Sequence, residues 1–261
     1  MSDSPKWPYY ALGGAVILIL AGRRRQRLAA EAAGSGAGGG GDGSSPSLGA
    51  PVGRPGGDPF AILSTEAPKL GLDPRVVRAV MQAESGQRPF GPDGRVVLRF
   101  EPHVFARLTA QKALGTTRRP TAAQVAQFGK VVLNPGMTQI NEGRKRTGGQ
   151  AAEWETFGRA SAIDADAAIQ STSFGLGQIM GFNYRLAGYD SPKAMFDAFA
   201  SSGTEQVMGM LRMISNVPVQ LNALRNKDYP AFVASYNGAP AGTVHNNGYV
   251  TRMKAAYAAL A

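Results

Sequence analysis

Glu84 is the residue of this sequence with the clearest potential for acid–base chemistry, and it lies in the stretch AVMQAESG at residues 79–86. Val77, Val80 and Met81 precede it by seven, four and three positions, so all four side chains would share one face of a helix. A carboxyl group on an apolar face is costly to ionise, because burial raises its pKa. A carboxyl that keeps its proton beside a cleft is suited to general-acid catalysis, such as the cleavage of a glycosidic bond.

The residues after Glu84 favour such a cleft. Ser85 and Gly86 end the helix, and Pro89 and Gly91 open a loop beside it. The alternative is an ordinary helix-terminal glutamate whose carboxylate reaches water. The pattern by itself leaves both interpretations open.

The elements that must position this glutamate are mainly helices. The segment RVVLRF at residues 95–100, which follows the turn formers at 92–94, is the stretch that is typical of a strand. Ser191 before Pro192 predicts a capped helix start. The predicted fold class is therefore mainly α, with a small β-hairpin. The predicted helices are 74–85, 121–130, 151–161, a short one from 164, 193–200, an apolar one beginning at 204–205, 229–236 and 249–260.

Composition limits the class of protein. With 261 residues, 43% hydrophobic and 18% charged, the chain suits one globular domain with additional segments. The absence of cysteine excludes disulfides and thiolate catalysis. The net charge is +10, and from Asp58 onward 22 basic residues still outnumber 15 acidic ones. Such a surface favours an anionic polymer: nucleic acid, teichoic acid, an anionic membrane or a cell-wall glycan.

Residues 1–33 are predicted to be a membrane-anchor segment with a basic flank. Residues 7–22 carry no charge, and a cluster of four arginines between positions 23 and 27 follows at once. A helix of that length would reach ~24 Å, against a hydrocarbon core of ~30 Å. A cleaved signal peptide or a buried helix are the alternatives, although a signal peptide would carry its positive charge before the apolar run.

Residues 34–57 are rich in Gly, Ser and Pro and cannot build a core, so they are predicted to be a flexible linker. A Gly-rich coil of this length has a mean span of roughly 25–30 Å. The globular domain is then predicted to occupy residues 58–261.

Four motifs occur along the chain in the order AESG at 83–86, FEPHVF at 100–105, TSFGLGQIMGFNY at 172–184 and SYNGA at 235–239. In that order they resemble the N-acetylmuramidase family of phage and prophage cell-wall enzymes, within the wider lysozyme-like and lytic-transglycosylase group, over roughly residues 65–261. The sequence departs from the family pattern in three places: Phe174 stands in place of the usual Trp, Gly177 in place of an aromatic or bulky residue, and Gln87-Arg88 in place of a Gly-rich continuation after the glutamate.

The resemblance implies a lysozyme-like helical domain that cleaves the glycosidic bond between N-acetylmuramic acid and N-acetylglucosamine. It makes Glu84 the catalytic acid and Glu101 a second carboxylate near the cleft. For Glu101 the alternative is a structural ion pair with Arg99 or His103. Asp93 is a third candidate, but its place in a turn favours a structural role.

The same resemblance implies that Gly175, Gln178, Tyr236 and Asn237 bind the substrate. Small glycines permit close approach of a sugar ring, and Gln178 can donate to and accept from an acetamido group. The Tyr236 hydroxyl would orient the acid, and Asn237 would hold an N-acetyl group. The alternatives are a helix–loop junction at GLGQIM and a plain turn at 237–238.

Hydrolysis is the predicted reaction. A retaining hydrolase would need its second carboxylate about 5–5.5 Å from the acid, and an inverting one about 6.5–9.5 Å. A lytic transglycosylase would need none, since the hydroxyl of the muramic acid attacks and leaves a 1,6-anhydro end. The remaining alternative is a catalytically inactive, membrane-anchored peptidoglycan-binding protein of a virion.

No cofactor is predicted. His103 and His245 are the two histidines and lie far apart in sequence, so no metal site is expected. The charge would suit nucleic acid, but basic and aromatic residues do not alternate, and no specific nucleic acid is expected. The predicted partners are peptidoglycan glycan strands and, through the N-terminal segment, a membrane.

The protein is predicted to be membrane-anchored and to act on the cell wall, as a virion component or facing the periplasm. The arginines after residue 22 oppose that orientation, because positive flanks stay on the cytoplasmic side. A virion protein that reaches the wall at entry, or a lysis enzyme released from its anchor, would reconcile the two.

Overall fold

The computed structural model covers most of the predicted globular domain. The predicted anchor (residues 1–33) and nearly all of the predicted linker (residues 34–57) lie outside its described residues, so both stay predictions. Within the described part, no helix combines the length and the apolar character needed to cross a bilayer. The described residues are 57–85, 88–133, 137–140, 143–146 and 149–260.

Helices make up most of the described chain, which confirms the predicted mainly α class. The predicted bounds 74–85 and 229–236 agree with the structure at both ends. The helices are α1 (Leu63–Lys69), α2 (Pro74–Ser85), α3 (Pro102–Ala113), α4 (Ala122–Phe128), α5 (Gly149–Ile163), α6 (Ala165–Gln170), α7 (Pro192–Ser201), α8 (Gly203–Ser215), α9 (Pro218–Arg225), α10 (Tyr229–Tyr236) and α11 (Val244–Ala258).

Side-chain caps decide where several of these helices begin. Thr121 opens α4 with a capping box, and Ser191 caps α7 as predicted. The predicted start of α8 at Thr204 is wrong, because the Ser202 hydroxyl accepts from the N–H three positions on. Helix α11 begins well before position 249, since Thr243 caps it. The polar run after that cap has no apolar periodicity, so the sequence pattern did not reveal this first turn.

Five short strands form two small sheets in the described chain. In the three-stranded sheet the order is β1-β4-β5, all antiparallel, and Leu98 pairs with Phe174. The strand predicted over 95–100 is shorter than expected. A small hairpin was predicted, but the positions of the other four strands were not, because runs of two to four residues carry no readable alternation. The strands are β1 (Leu98–Phe100), β2 (Met137–Ile140), β3 (Gly143–Arg146), β4 (Thr172–Phe174) and β5 (Ile179–Met180); β2 and β3 form a separate hairpin.

Helix α5 covers the open edge of β1 with side chains. Gln150 accepts from the Leu98 N–H at 2.9 Å and donates to the Leu98 carbonyl oxygen at 3.0 Å. Glu153, which is buried, accepts from the Phe100 N–H at 2.9 Å. Buried backbone groups left without partners would each cost about 1–3 kcal/mol. These bonds therefore hold β1, and with it the following Glu101, against the core.

A cluster of aromatic rings fills the core behind β4. The Phe174 ring lies 5.2 Å from that of Phe196 and 6.0 Å from that of Phe157, centroid to centroid, and all three are buried. Truncating such a ring to alanine costs about 3–5 kcal/mol. Phe174, one of the three departures from the family pattern, is therefore an interior packing residue.

Candidate active site

Glu84 lies in the last turn of α2, on the face that the sequence predicts to be apolar. Val77, Val80 and Met81 are fully buried, and Glu84 itself is partly buried. This face of α2 packs along α11. Glu84 is therefore not a fully exposed helix end, and its side chain lies where the packed core meets solvent.

Tyr249 on α11 holds the Glu84 side chain. Its hydroxyl donates to Glu84 Oε1 at 2.6 Å, and the tyrosine is 1% exposed. Burial raises the pKa of Tyr249 well above its usual value, and the charge of Glu84 raises it further. The phenol therefore remains protonated and acts as a donor to Glu84.

Sequence reasoning missed Tyr249, which lies 165 positions from Glu84. A signal does exist, because the buried residues of α11 include Asn246, Tyr249, Val250 and Met253. Their spacing of three, four and seven residues marks one helix face. The pattern places the tyrosine inside, but it does not say which residue the hydroxyl meets.

Tyr236, at the end of α10, bonds to a different group from the one expected. Its hydroxyl donates to the Gly177 carbonyl oxygen at 2.7 Å, and its ring stacks on Phe232 with centroids 5.1 Å apart. Burial raises the pKa of Tyr236 well above its usual value, with a further contribution from the charge of Glu84. Tyr236 is thus close enough to Glu84 to feel its charge, while its hydroxyl fixes the β4–β5 turn.

The GLGQ segment, residues 175–178, is the turn that joins β4 to β5, and neither a helix junction nor an open loop. Gly175 has a φ of +68°, and a Cβ there would overlap the Gln206 side chain. Gln206 is fully buried; it accepts from the Leu176 N–H at 2.9 Å and donates to the Phe199 carbonyl oxygen at 2.8 Å. A glycine is required at 175, and its close contact is with a glutamine of this chain.

Gln178 and Gly177 are both engaged within this turn. Gln178 is buried, donates to the Gly175 carbonyl oxygen at 2.9 Å and accepts from the Ser173 hydroxyl at 3.1 Å. A Cβ on Gly177 would lie 3.1 Å from the sulfur of Met210. The Gln178 side chain therefore shapes the turn, and the local packing explains why a bulky residue is absent at 177.

Asn237 is 2% exposed, and its Oδ1 accepts from the Ala239 N–H at 3.1 Å. This is an Asx-type turn, and Gly238 follows with a φ of +76°. The plain turn that was the alternative for this motif is thus present. It carries the chain from Tyr236 towards α11, which brings Tyr249 to Glu84.

Glu101 follows β1 and immediately precedes α3. Its Oε1 lies 3.0 Å from Arg99 Nε, and its Oε2 lies 3.7 Å from His103 Nδ1. These are the two residues with which Glu101 would form a structural ion pair, the alternative to a catalytic role. The Glu101 side chain is 12% exposed. Asp93 pairs with Arg95 in the turn before β1, so its structural role is also present.

The described residues bring Glu84, Tyr249, Tyr236 and the β4–β5 turn together, whereas Glu101 lies beside Arg99 and His103 at the start of α3. In this part of the chain, no three His, Asp or Glu side chains converge where a metal ion could bind. A mainly helical domain in which a buried phenol holds a glutamate at the core boundary has an arrangement suited to general-acid chemistry of the kind that lysozyme-type glycoside hydrolases use.

Comparison with known proteins specifies this class further. Residues 73–261 match the N-acetylmuramidase family, and the chain belongs to that family. The resemblance of the four motifs is thereby confirmed, with peptidoglycan as the substrate. The crystal structure of a Burkholderia AP3 phage endolysin is similar to this chain at 31% identity and a TM-score of 0.58, over 77% of this chain and 69% of the endolysin chain. A search among curated proteins finds no match.

Proposed function

We propose that this protein hydrolyses the bond between N-acetylmuramic acid and N-acetylglucosamine in peptidoglycan, with Glu84 as the general acid. The observation that carries the proposal is the 2.6 Å hydrogen bond from Tyr249 to Glu84. A buried, permanently protonated donor fixes the orientation of the carboxyl group. Membership of the N-acetylmuramidase family supports the choice of this bond.

The hydrogen bond also suits the acid step itself. Tyr249 orients the carboxyl group through Oε1, and in the acid step the proton of Glu84 passes to the glycosidic oxygen. As Glu84 becomes a carboxylate, the bond from Tyr249 changes from a neutral to a charge-assisted one and becomes stronger. An interaction that strengthens as the proton leaves lowers the barrier more than it stabilises the bound substrate.

Glu101 is proposed as the second carboxylate of the hydrolysis. In support, it lies at the end of a strand that α5 holds rigidly, and Arg99 and His103 fix its orientation. A carboxylate there would either attack the sugar or activate a water molecule, according to its separation from Glu84.

The same ion pair favours a second candidate function. A lytic transglycosylase needs no second carboxylate, and a Glu101 committed to Arg99 and His103 would suit a purely structural role. In that case the product would carry a 1,6-anhydro end. The inactive-protein alternative was suggested by Phe174, Gly177 and the altered loop after Glu84. Phe174 and Gly177 are packed in the interior and give it no support, while residues 86–87 of the loop lie outside the described residues.

Fragment analysis separates these functions. Purified peptidoglycan is digested with the full chain, and the released fragments are weighed by mass spectrometry. Hydrolysis predicts reducing N-acetylmuramic acid ends. Anhydro ends, one water lighter, would establish the transglycosylase, and an absence of fragments at any enzyme concentration would contradict both.

The proposed biological role is phage lysis, supported by the similarity to a phage endolysin. The finer proposal of a membrane tether is supported by residues 7–22 and the arginines after them. Fractionating cells that express the full chain, beside a chain lacking residues 1–33, tests it. Equal amounts of the two proteins in the membrane fraction would contradict an anchor.

A further inference from the structure

The residues from Pro102 to Leu133 form a long stretch without a carboxylate. These 32 residues contain five cations and no Asp or Glu. Lys112 is neutralised from outside the stretch by Asp164, at 2.6 Å. The other four cations, Arg107, Arg118, Arg119 and Lys130, form no ion pair within the described chain.

Two of these cations repel each other. Burial lowers the pKa of Arg107, and the nearby charge of Arg119 lowers it further. Elsewhere in the described chain many exposed cations have a carboxylate partner, such as Lys69 with Glu66 at 2.7 Å. Positive charge on this part of the surface is thus concentrated and left uncompensated.

Helix α4, between Arg119 and Lys130, is an unusual surface helix. Its sequence, AAQVAQF, has no charged residue, and none of its residues is buried. A solvent-facing helix ordinarily carries charges on its outer side. A complete capping box shows that α4 is nonetheless a well-formed helix. The helix adds little to the core and presents alanine, glutamine and Phe128 to the outside.

Two branched apolar side chains continue this surface. Val131 is 66% exposed and Leu133 is 54% exposed, while Val132 between them is buried. The Lys130 N–H donates to the Thr109 hydroxyl at 2.8 Å, and Arg159 donates to the Leu133 carbonyl oxygen at 2.8 Å. The segment is therefore fixed against α3 and α5, with Val131 and Leu133 held outward.

We propose that this surface docks on an anionic lipid bilayer. We call it the α4 face, and define it as Arg107, Arg118, Arg119, helix α4, Lys130, Val131 and Leu133. Cations beside exposed apolar side chains match a bilayer surface, where the cations meet the lipid phosphates and the apolar groups enter the interface.

Two other occupants fit less well. A second copy of the chain would place four uncompensated cations against four others. A soluble or wall-bound polyanion would satisfy the cations but would give Val131, Leu133 and Phe128 nothing apolar to bury against. The lipid surface uses both features of the α4 face, and it requires no assumption about Glu84 or its reaction.

Hydrogen exchange of the full chain tests the proposal without interference from residues 1–33. Exchange is measured with vesicles of phosphatidylcholine alone and with vesicles that contain about one third phosphatidylglycerol. We expect the anionic vesicles to slow exchange across 118–133, and the neutral vesicles to leave it nearly unchanged. Binding of the N-terminal segment alone would not protect these amides.

Variants assign the protection to the α4 face. Arg118→Gln with Arg119→Gln should weaken vesicle binding at this face by ~25-fold, at about fivefold for each cation. Val131→Ser with Leu133→Ser should also weaken it, without a change in charge. The matched control is Arg185→Gln, an exposed cation on another part of the surface, combined with Lys254→Gln. This control should bind like the wild type, and all three variants should cleave peptidoglycan normally.

Several results would overturn the proposal. These are unchanged exchange at 118–133 with anionic vesicles, equal protection by soluble polyphosphate, and protection that rises with protein concentration alone. The second would assign the face to a polyanion, and the third to self-association. Equal weakening in the control pair would show that net charge, and not the α4 face, drives binding.

Discussion

Glu84 and Glu101 show how one functional group is prepared for different tasks by its surroundings. Glu84 extends from a buried helix face, and it accepts a hydrogen bond from the neutral phenol of Tyr249. Glu101 lies between Arg99 and His103 at the start of α3. The Glu84 carboxyl group thus meets an uncharged donor on an otherwise apolar helix face, whereas Glu101 Oε1 lies 3.0 Å from Arg99 Nε. The first setting suits an acid, and the second suits a carboxylate that acts through its charge.

The largest expected effect is at Glu84. Glu84→Gln keeps the shape and the acceptor oxygen for Tyr249 but removes the acid proton, so kcat should fall about 10²- to 10⁴-fold. Release of soluble fragments from peptidoglycan measures this. Glu155→Gln, at an exposed glutamate on α5, is the matched control and should be neutral. A Glu84→Gln protein with wild-type activity would refute the assignment.

Glu101→Gln tests whether Glu101 takes part in the reaction or serves only as the ion-pair partner of Arg99. If Glu101 is the second carboxylate, as proposed, kcat should fall by at least about 100-fold in a folded protein. Arg99→Gln removes the ion pair and keeps the carboxylate, so its effect should be much smaller. Similar, modest losses in both variants would mean that Glu101 matters only as a partner of Arg99, and the transglycosylase function would then be favoured.

Tyr249→Phe removes the hydroxyl that donates a hydrogen bond to Glu84, a neutral contact of a kind different from the ion pair of Glu101. Loss of a hydrogen bond to a charged group should lower kcat about 10- to 100-fold, with little change in KM. Without the donor the carboxylate form is less stable, so the alkaline limb of the rate profile should move to higher pH. Tyr257→Phe, at an α11 tyrosine remote from Glu84, serves as the control. An unshifted pH profile would leave Tyr249 a packing residue only.

The smallest effect is expected at Asp73, a partly buried carboxylate paired with the exposed Arg75. The hydrogen bond from Arg75 lowers the pKa of Asp73 from 3.8 to about 2, with burial acting in the opposite direction and Tyr257 adding to the lowering. A lowered pKa in the folded state stabilises the protein above pH 4 or so, and this stability is lost as the pH falls towards about 2.

Asp73→Asn should therefore lower the free energy of unfolding by less than about 1 kcal/mol at neutral pH, because solvent screens the pair. The difference from wild type should shrink as the pH falls, which urea unfolding at several pH values can measure. Asparagine still accepts from the Arg75 N–H at the start of α2, so the variant isolates the charge. A difference that grows in acid would contradict the sign.

The sequence predicted which residues of α2 lie beside Glu84, but not which residues of other elements contact it. The apolar face of α2 follows from residues three, four and seven positions away, and local periodicity is sufficient for that. Tyr249 and Gln206 could not be assigned in the same way, because their partners lie far along the chain. The motifs containing Gln178 and Asn237 were found correctly, yet both side chains bond within their own turns. A motif identifies a conserved geometry without saying which of its atoms face the substrate.

The sequence by itself determined the mainly helical class, the position of Glu84 on an apolar helix face, and the family, since these depend on short-range patterns and distinctive motifs. Tertiary structure alone decided which hydroxyl meets Glu84, that Phe174 and Gly177 belong to the interior, and that Glu101 pairs with Arg99. It also decided that α4 lies on the surface without charge. The physical reason is that hydrogen bonds, ion pairs and burial act over a few ångströms in space, whatever the separation along the chain.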